Sequence, residues 1–553
     1  MLEIHKSLTG RAPRARRWRP RRVVVAVVLL SLLTSATVRA RPAYELTVRI
    51  DVDRRSLTGQ ARIRFANDSA GPLTQVLLWL YPDRFAVRPA ALNDYNRYWI
   101  YPYRYNPASL TVDAARLAGQ PVAFTLQDHS QAGPRTLLQV TLPQALPPGA
   151  TAELDLDYRL HLPDRYGAFG CFRHACVLGG GFYPMLPLLG SAGFDLSAPP
   201  ARADFTLALT TPARSDVIVQ GDFLPLGAGE TRRAAVANAR ALTVTVQRPA
   251  YRTESLTHRG VRVLYHVTGP LPVPTPPSFV VPYWPADRPS RVLATARAAL
   301  DLLAELGLPL PTGQVFHLLE GALRTEVALA LPGAVLVSDR IFDLFPLGSL
   351  LAAHEKALAR AFFTEYAERL LAGRERPHDE GWAPEVAASF LMDRYARHDG
   401  QGSVGKDVAK VGFLPEADKI LYAPQVPFAT TYFYTLADPD PLRDGLTQFN
   451  NDWPRGRLLY AKLLDLLGDK ALEQLVRQQL AGVPVRDAAE AVYGGPLGWF
   501  FAQWLGAYPK VDYRIRDLRR SRQGDRYQVE LVVDKRGPQL PIEPVEVQVR
   551  DAR

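Results

Sequence analysis

The residues that first indicate chemistry are His354 and Glu355, within the apolar run SLLAAHEKALARAFF. Two histidines one helical turn apart can hold a zinc ion, and a glutamate that follows the first histidine can activate a metal-bound water. Here Leu358 occupies the position of the second histidine, and its side chain cannot coordinate a metal. The segment therefore keeps one ligand and the base of such a site. Taken alone, the pair is more often a partly buried structural feature of an amphipathic helix.

Regular helical spacing surrounds this pair. Apolar residues at three- and four-residue intervals predict a helix over residues 348–373, which carries His354 and Glu355. Similar spacing predicts helices in RVLATARAALDLLAELG, PEVAASFLMDRYAR, GRLLYAKLLDLLGD, KALEQLVRQQLAG and GWFFAQWLGAY, and the runs VFHLLE and GAVLVSD are typical of strands. Residues 286–511 are therefore predicted to form a mixed domain in which helices dominate.

Two-residue alternation of apolar and polar side chains characterises the rest of the chain. From Tyr44 to about residue 268 it predicts half-buried antiparallel strands, and the eight prolines of residues 270–289 mark a boundary. Alternation returns after Asp512 over about three strands, too few for an independent sandwich. The predicted fold class is α+β and multidomain, with an antiparallel β domain over 41–285, the mostly helical domain over 286–511 and a partial β segment over 512–553.

This order of parts resembles the aminopeptidase N and leukotriene hydrolase type of gluzincin, a zinc metallopeptidase in which a β-rich domain precedes a thermolysin-like domain. The opening YELTVRIDVDRRSLTGQARIRFANDSAGPLTQVLLWLYP looks like the family's first strands. The family's third zinc ligand lies in a W-x-x-E-G-x-A setting on the next helix, which WAPEVA at 382–387 matches except for its glycine. The resemblance implies that His354 and Glu385 are zinc ligands and that Glu355 is the catalytic base.

Other residues of the family's active-site motifs also differ in this sequence. Besides Leu358, Trp453 in WPRG stands where the family's Y-x-K-G has the tyrosine that stabilises the tetrahedral intermediate. The family's G-x-M-E-N loop, which holds a substrate amino terminus, is not recognisable, and in LEGALRTEVALALPG only Glu320 or Glu326 offers a carboxylate. His378, in an apparent insertion, is a candidate for the missing imidazole, although a solvated loop is the favoured interpretation.

These departures affect both the metal and the oxyanion donor. A catalytic zinc needs three protein ligands, and loss of an oxyanion donor typically costs about 10²–10³ in rate. The sequence therefore favours a pseudopeptidase that binds a peptide or protein segment in its groove or scaffolds a complex, and zinc is expected as a cofactor if the protein is active. The open alternative is an active zinc-dependent aminopeptidase with Glu355 as general base and His354 and Glu385 as ligands. A third hypothesis assigns the function to the N-terminal β domain alone, as an interaction module.

The net charge of +11 is concentrated in the first 40 residues, which hold nine basic residues and one acidic residue. The basic block precedes the apolar run VVVAVVLLSLL and then Val38-Arg39-Ala40, which fits a signal-peptidase site. Residues 1–40 are therefore predicted to be an export signal, with an uncleaved membrane anchor as the alternative. We expect a periplasmic or secreted protein that contacts a membrane only through this segment, and the charge of the remaining chain gives no case for nucleic acid.

The chain has two cysteines, Cys171 and Cys176, in GCFRHACVLGGG. Exported proteins oxidise such pairs readily, so a disulfide is the favoured interpretation. The alternative is a metal site that uses both thiols and His174, but it supplies at most three ligands.

Overall fold

The computed structural model describes residues 41–88, 92, 97–129, 133–173, 175–196, 200–212, 215–224, 231–248, 252–268, 288–324, 326–342, 348–372, 381–398, 452–505, 512–523, 526–537 and 542. They lie in one unit, Arg41–Arg553. The predicted leader over 1–40, His174, His378 and the last predicted C-terminal strand lie outside the described residues.

Strands predominate before residue 340 and helices after it. The strands are β1 (Ala43–Asp51), β2 (Ser56–Ala66), β3 (Leu73–Trp79), β4 (Ser109–Leu117), β5 (Gln120–Pro121), β6 (Phe124–His129), β7 (Gly133–Leu146), β8 (Thr151–His161), β9 (Phe169–Phe172), β10 (Ala175–Leu178), β11 (Leu188–Gly190), β12 (Gly193–Asp195), β13 (Ala203–Thr210), β14 (Asp216–Val219), β15 (Asp222–Leu224), β16 (Thr231–Ala239), β17 (Val244–Gln247), β18 (Arg252–His258), β19 (Val261–Val267), β20 (Val315–Gly321), β21 (Ala328–Leu331), β22 (Ala334–Ser338), β23 (Asp512–Gln523) and β24 (Arg526–Arg536). The helices are α1 (Arg97–Ile100), α2 (Arg288–Glu305), α3 (Gly348–Ala372), α4 (Ala383–His398), α5 (Asp452–Leu467), α6 (Asp469–Leu480), α7 (Val485–Tyr493) and α8 (Gly498–Leu505), and a 3₁₀ turn covers Tyr81–Phe85.

The N-terminal part is built from stacked sheets. A seven-stranded sheet has the order β16-β13-β1-β2-β8-β4-β5, and a five-stranded sheet has the order β15-β14-β17-β10-β9. All described pairings within these two sheets are antiparallel except that of β1 with β13. Along β2, buried and exposed residues alternate as the sequence predicts, and the buried face joins residues such as Val244 and Val246 of the second sheet in one core.

A second five-stranded sheet, in the order β18-β19-β20-β22-β21, supports the helices. β19 and β20 pair in parallel across the proline-rich stretch, and β20 also pairs in parallel with β22. The buried residues of β19 pack in the core that contains α2 and α3. This pairing differs from the predicted grouping, which places residues 252–267 in the N-terminal β domain, because alternation identifies a strand but not the sheet that it joins.

The predicted helices are present between residues 288 and 505, and α7 is an additional one. α3 packs against α2, α4 and β21, and α4 packs against α5. β23 and β24 form a two-stranded antiparallel sheet. Among the described helices, none combines the length and apolar character required to cross a membrane. The mixed sheets and helices agree with the predicted α+β class.

Candidate functional site

α3 positions the predicted metal-binding pair. His354 and Leu358 are one turn apart and therefore project from the same face of α3. From Leu358 to Ala367 almost every residue of this helix is buried, since α3 runs through the second core. Glu355 follows His354 on α3 and is half-buried.

His354 is buried, and its Nδ1 accepts a hydrogen bond from the backbone N–H of Phe342 at 2.9 Å. Burial lowers the pKa of His354 to about 3, so the ring is neutral near pH 7. A neutral imidazole whose Nδ1 accepts a hydrogen bond carries its proton on Nε2. A zinc-bound histidine has the reverse polarity, because its second nitrogen donates a hydrogen bond while the first coordinates the metal. In this arrangement His354 has no lone pair to offer a metal.

This hydrogen bond also has a structural role. Phe342 is buried and has a φ of 65°, a left-handed conformation that is strained for a bulky side chain. The ring centroids of Phe342 and His354 lie 5.9 Å apart. His354 therefore stabilises the turn that follows β22, which accounts for a buried histidine at this position without a metal.

Leu358 lies in the hydrophobic core, with 1% of its surface exposed. Its neighbours along α3 include Ala359, Phe362 and Phe363, all buried in the same core. The position of the absent imidazole is thus filled by packed hydrocarbon.

Glu385 is the third residue of α4 and is almost fully buried, with 1% of its surface exposed. Its Oε1 accepts hydrogen bonds from Arg360 Nη1 and from Arg457 Nε, both at 2.8 Å. Its Oε2 accepts a hydrogen bond from Thr364 Oγ1 at 3.1 Å. Burying a carboxylate is costly unless it is paired and hydrogen-bonded, and here three side chains meet that requirement.

A glycine permits this arrangement. A Cβ added to Gly456 would lie 2.5 Å from the carbonyl oxygen of Trp382 and 2.7 Å from Glu385 Cβ. Because Gly456 has no side chain, the first turn of α5 packs directly on the start of α4. That packing carries Arg457 to the carboxylate. Trp453 lies in the same first turn of α5, and its side chain is outside the described residues.

The predicted ligands do not fit a zinc ion. His354 has its Nδ1 engaged and its proton on Nε2, and Leu358 has no donor atom. Both oxygens of Glu385 are hydrogen-bonded, and the two guanidinium groups beside it would repel a divalent cation. Across the described ranges, no group of three or more His, Cys, Asp or Glu side chains is arranged to hold a metal ion.

Glu320, one of the two candidates for binding a substrate amino terminus, is also engaged. Its Oε1 accepts a hydrogen bond from the Tyr265 hydroxyl at 2.9 Å and lies 3.2 Å from Arg288 Nε. Its Oε2 accepts hydrogen bonds from the backbone N–H and the hydroxyl of Thr268, at 2.7 and 2.9 Å. A small cleft beside Glu320 is also lined by Phe172 and Val177.

Cys171 and Cys176 are joined in a disulfide across the β9–β10 hairpin, where they are directly paired residues. Both are buried in the N-terminal core. The bond braces a hairpin that lines the cleft, and its sulfurs are not available to a metal.

Solved structures similar to this chain include zinc metallopeptidases. The M1 zinc metallopeptidase from Deinococcus radiodurans is 16% identical with a TM-score of 0.45, and the match covers 82% of this chain and 92% of that one. A mutant form of the same enzyme gives 16% identity and a TM-score of 0.45 over 84% and 94% of the two chains. A two-domain M1 zinc metallopeptidase mutant bound to L-arginine gives 16% and 0.43 over 82% and 91%. Likeness at this identity concerns the fold alone. No family model matches the sequence, and no curated protein matches it.

Sequence reasoning alone identifies Glu385 but not its partners. Arg360 lies two residues after Leu358 on α3, and Arg457 follows the Gly456 of WPRG. The signal was the presence of an arginine on each of two helices that flank an expected metal ligand. Spacing along the chain does not reveal that both reach the same oxygen.

Proposed function

We propose that this protein is a metallopeptidase-like binding protein that does not hydrolyse peptides with zinc and that accepts a peptide or protein segment near its former catalytic centre. The observation that carries the proposal is the state of Glu385, whose carboxylate is hydrogen-bonded to Arg360, Arg457 and Thr364. In a zinc site the metal would supply the positive charge that stabilises this buried carboxylate. Here two arginines supply it.

The state of His354 supports the same conclusion independently. Its Nδ1 is committed to the turn at Phe342, and Leu358 completes a hydrophobic core where a second imidazole would be needed. Glu355 then lacks a metal-bound water to activate, because the base acts on a water that zinc has polarised. The donor set supports the proposed absence of efficient hydrolysis.

A peptide or protein segment is the proposed partner because the resemblance in sequence is to peptidases. We further propose, on the sequence of residues 1–40, that the protein is exported to the periplasm or secreted. Cleavage of this segment would release the chain, and its retention would anchor it.

Zinc content tests the proposal. The protein is purified without chelators, and metal per chain is measured by inductively coupled plasma mass spectrometry. We expect far less than one zinc per chain, and no increase after incubation with zinc followed by desalting. Zinc held at one ion per chain would refute the proposal.

Hydrolysis provides the second arm. Aminoacyl and peptidyl fluorogenic substrates are assayed with the wild-type chain and with Glu355→Ala. We expect the same background rate for both. A zinc-dependent rate that Glu355→Ala abolishes would establish instead an active aminopeptidase with Glu355 as its general base.

A further inference from the structure

The charges around Glu385 do not balance. One carboxylate accepts hydrogen bonds from two guanidinium groups, and both donate to the same oxygen, Oε1. Thr364 is neutral, so this cluster of Glu385, Arg360 and Arg457 carries a net positive charge. The cluster lies where the family resemblance places a zinc ion.

The two guanidinium groups lie close enough to repel each other. Arg360 Nη1 and Arg457 Nε each lie 2.8 Å from the same oxygen atom of Glu385. Like charges held together in a partly buried place are unfavourable. A second anion at this point would relieve the repulsion that one carboxylate leaves.

The arginines can reach such an anion. The side chain of Arg457 is 50% exposed and that of Arg360 is 31% exposed. Within the described part of the chain, the contact of Arg457 with Glu385 uses its Nε–H, so its Nη1 and Nη2 groups remain as further donors. That pair has the fork geometry that binds a carboxylate through two parallel hydrogen bonds.

Lys356 extends the positive surface. It lies one helical turn before Arg360 on the same face of α3 and is exposed. Lys356 and Arg360 therefore lie on one face of α3, and Arg360 and Arg457 both contact Glu385. A ligand with a negative charge is favoured there by charge complementarity.

We propose that Arg360 and Arg457, assisted by Lys356, form a binding site for a carboxylate carried by a peptide segment. The segment would bear an acidic side chain or a free carboxyl terminus. This inference rests on the proposed function, because it names the chemical class that the former centre accepts. A zinc site binds a cation, whereas the proposed site binds an anion.

The test uses two fluorescein-labelled peptides, N-acetylated and C-terminally amidated, that are identical alanine-based chains except for a central Glu-Glu or Gln-Gln pair. Binding to the full chain is measured by fluorescence anisotropy at low salt with a chelator present. We expect the acidic peptide to bind about tenfold more tightly. This is the lower end for a hydrogen bond to a charged group, because Arg457 is half-exposed.

Variants assign the preference to the arginines. Arg457→Gln keeps a donor for Glu385 but removes the charge, and we expect it to abolish most of the preference. Arg457→Lys should retain part of it. The matched control is Arg477→Gln, because Arg477 is similarly exposed and pairs with Glu473 on α6. This control should keep the full preference. Circular dichroism and melting curves confirm that each variant is folded.

The outcomes separate the two proposals. Loss of the preference at high salt together with its loss in Arg457→Gln supports the site. Equal binding of both peptides, or an unchanged preference in Arg457→Gln, overturns the carboxylate site and leaves the zinc-free peptide-binding function standing. If neither peptide binds, the carboxylate site is also overturned. The zinc measurement tests separately whether the protein binds zinc.

Discussion

Replacement of Glu385 by glutamine gives the sharpest view of what holds the cluster of Glu385, Arg360 and Arg457 together. The substitution keeps the size of the side chain and one carbonyl oxygen but removes the negative charge. Arg360 and Arg457 then face each other without a counter-charge. We expect α4 and α5 to open more readily, because both helices are joined through this carboxylate.

The magnitude follows from the contacts. Two charge-assisted hydrogen bonds at 2.8 Å become bonds to a neutral group. A hydrogen bond to a charged group contributes about 1.5–3 kcal/mol and a neutral one about 0.5–1.5 kcal/mol, so each change costs about 1 kcal/mol. The Arg457 side chain is half-exposed, so solvent reduces the free-energy contribution of its hydrogen bond to Glu385. Arg360 is less exposed, and its hydrogen bond is screened less. The expected total is therefore about 1.5 kcal/mol, or about a tenfold increase in local opening.

Hydrogen exchange with mass spectrometry is the appropriate assay. The chain contains more than one large core, so a single free energy of unfolding is not well defined, but local opening is. Peptides that cover 383–398 and 452–467 report on the two helices. Glu473→Gln is the control, since the Glu473 side chain is 32% exposed, against 1% for Glu385, and pairs with the exposed Arg477 and the mostly buried Arg394; it should cost less than about 1 kcal/mol.

Two results would refute this reasoning. If Glu385→Gln changed exchange no more than Glu473→Gln does, the arginine contacts would not stabilise the two helices. If a chelator accelerated exchange in the wild-type chain, a bound metal rather than the arginines would hold Glu385.

Three further expectations concern packing, metal binding and acid. Gly456→Ala should destabilise α5 by about 1–3 kcal/mol in the same exchange assay, because its Cβ would lie 2.5 Å from the carbonyl oxygen of Trp382. Gly498→Ala, where no atom lies within 4 Å of the added Cβ, should stay within about 0.5 kcal/mol, and equal effects of the two would contradict the packing argument. Leu358→His should lower stability by about 2–5 kcal/mol and bind no zinc, since His354 and Glu385 remain engaged; stoichiometric zinc in that variant would show that the arginines are not a barrier. Burial lowers the pKa of His266 to about 4 and that of His317 to about 3, and Nε2 of the first lies 3.1 Å from Nδ1 of the second. Their neutral forms are favoured by folding, so stability is complete above about pH 6.5 and falls by up to about 1.4 kcal/mol per pH unit for each histidine as pH decreases towards 4. The melting temperature of His317→Gln should fall less steeply with decreasing pH than that of the wild-type chain. Identical slopes would contradict the assignment of this acid sensitivity to the two histidines.

The sequence predicts the helices of the site closely because their apolar spacing is local. α3 covers Gly348–Ala372 against a predicted 348–373, and α2, α4, α5 and α6 are found where helical spacing places them. The sequence does not predict α7, because its nine residues, VRDAAEAVY, are too few to show a clear helical periodicity. The sheet that β18 and β19 join cannot be predicted from local spacing. A parallel partner can be distant in sequence, and β19 pairs with β20 across more than 40 residues.

By itself the sequence determined that position 358 cannot supply a metal ligand, because Leu358 has no donor atom in any conformation. It also determined the two-residue and helical periodicities from which the elements form. Only the tertiary structure decided the condition of the residues that remain. His354 Nδ1 acts as a hydrogen-bond acceptor because the backbone N–H of Phe342 lies beside it. The positive charge beside Glu385 comes from Arg360 and Arg457, which lie on separate helices. Such contacts arise from packing at Gly456 and in the second core, so they are properties of the folded chain rather than of any one segment.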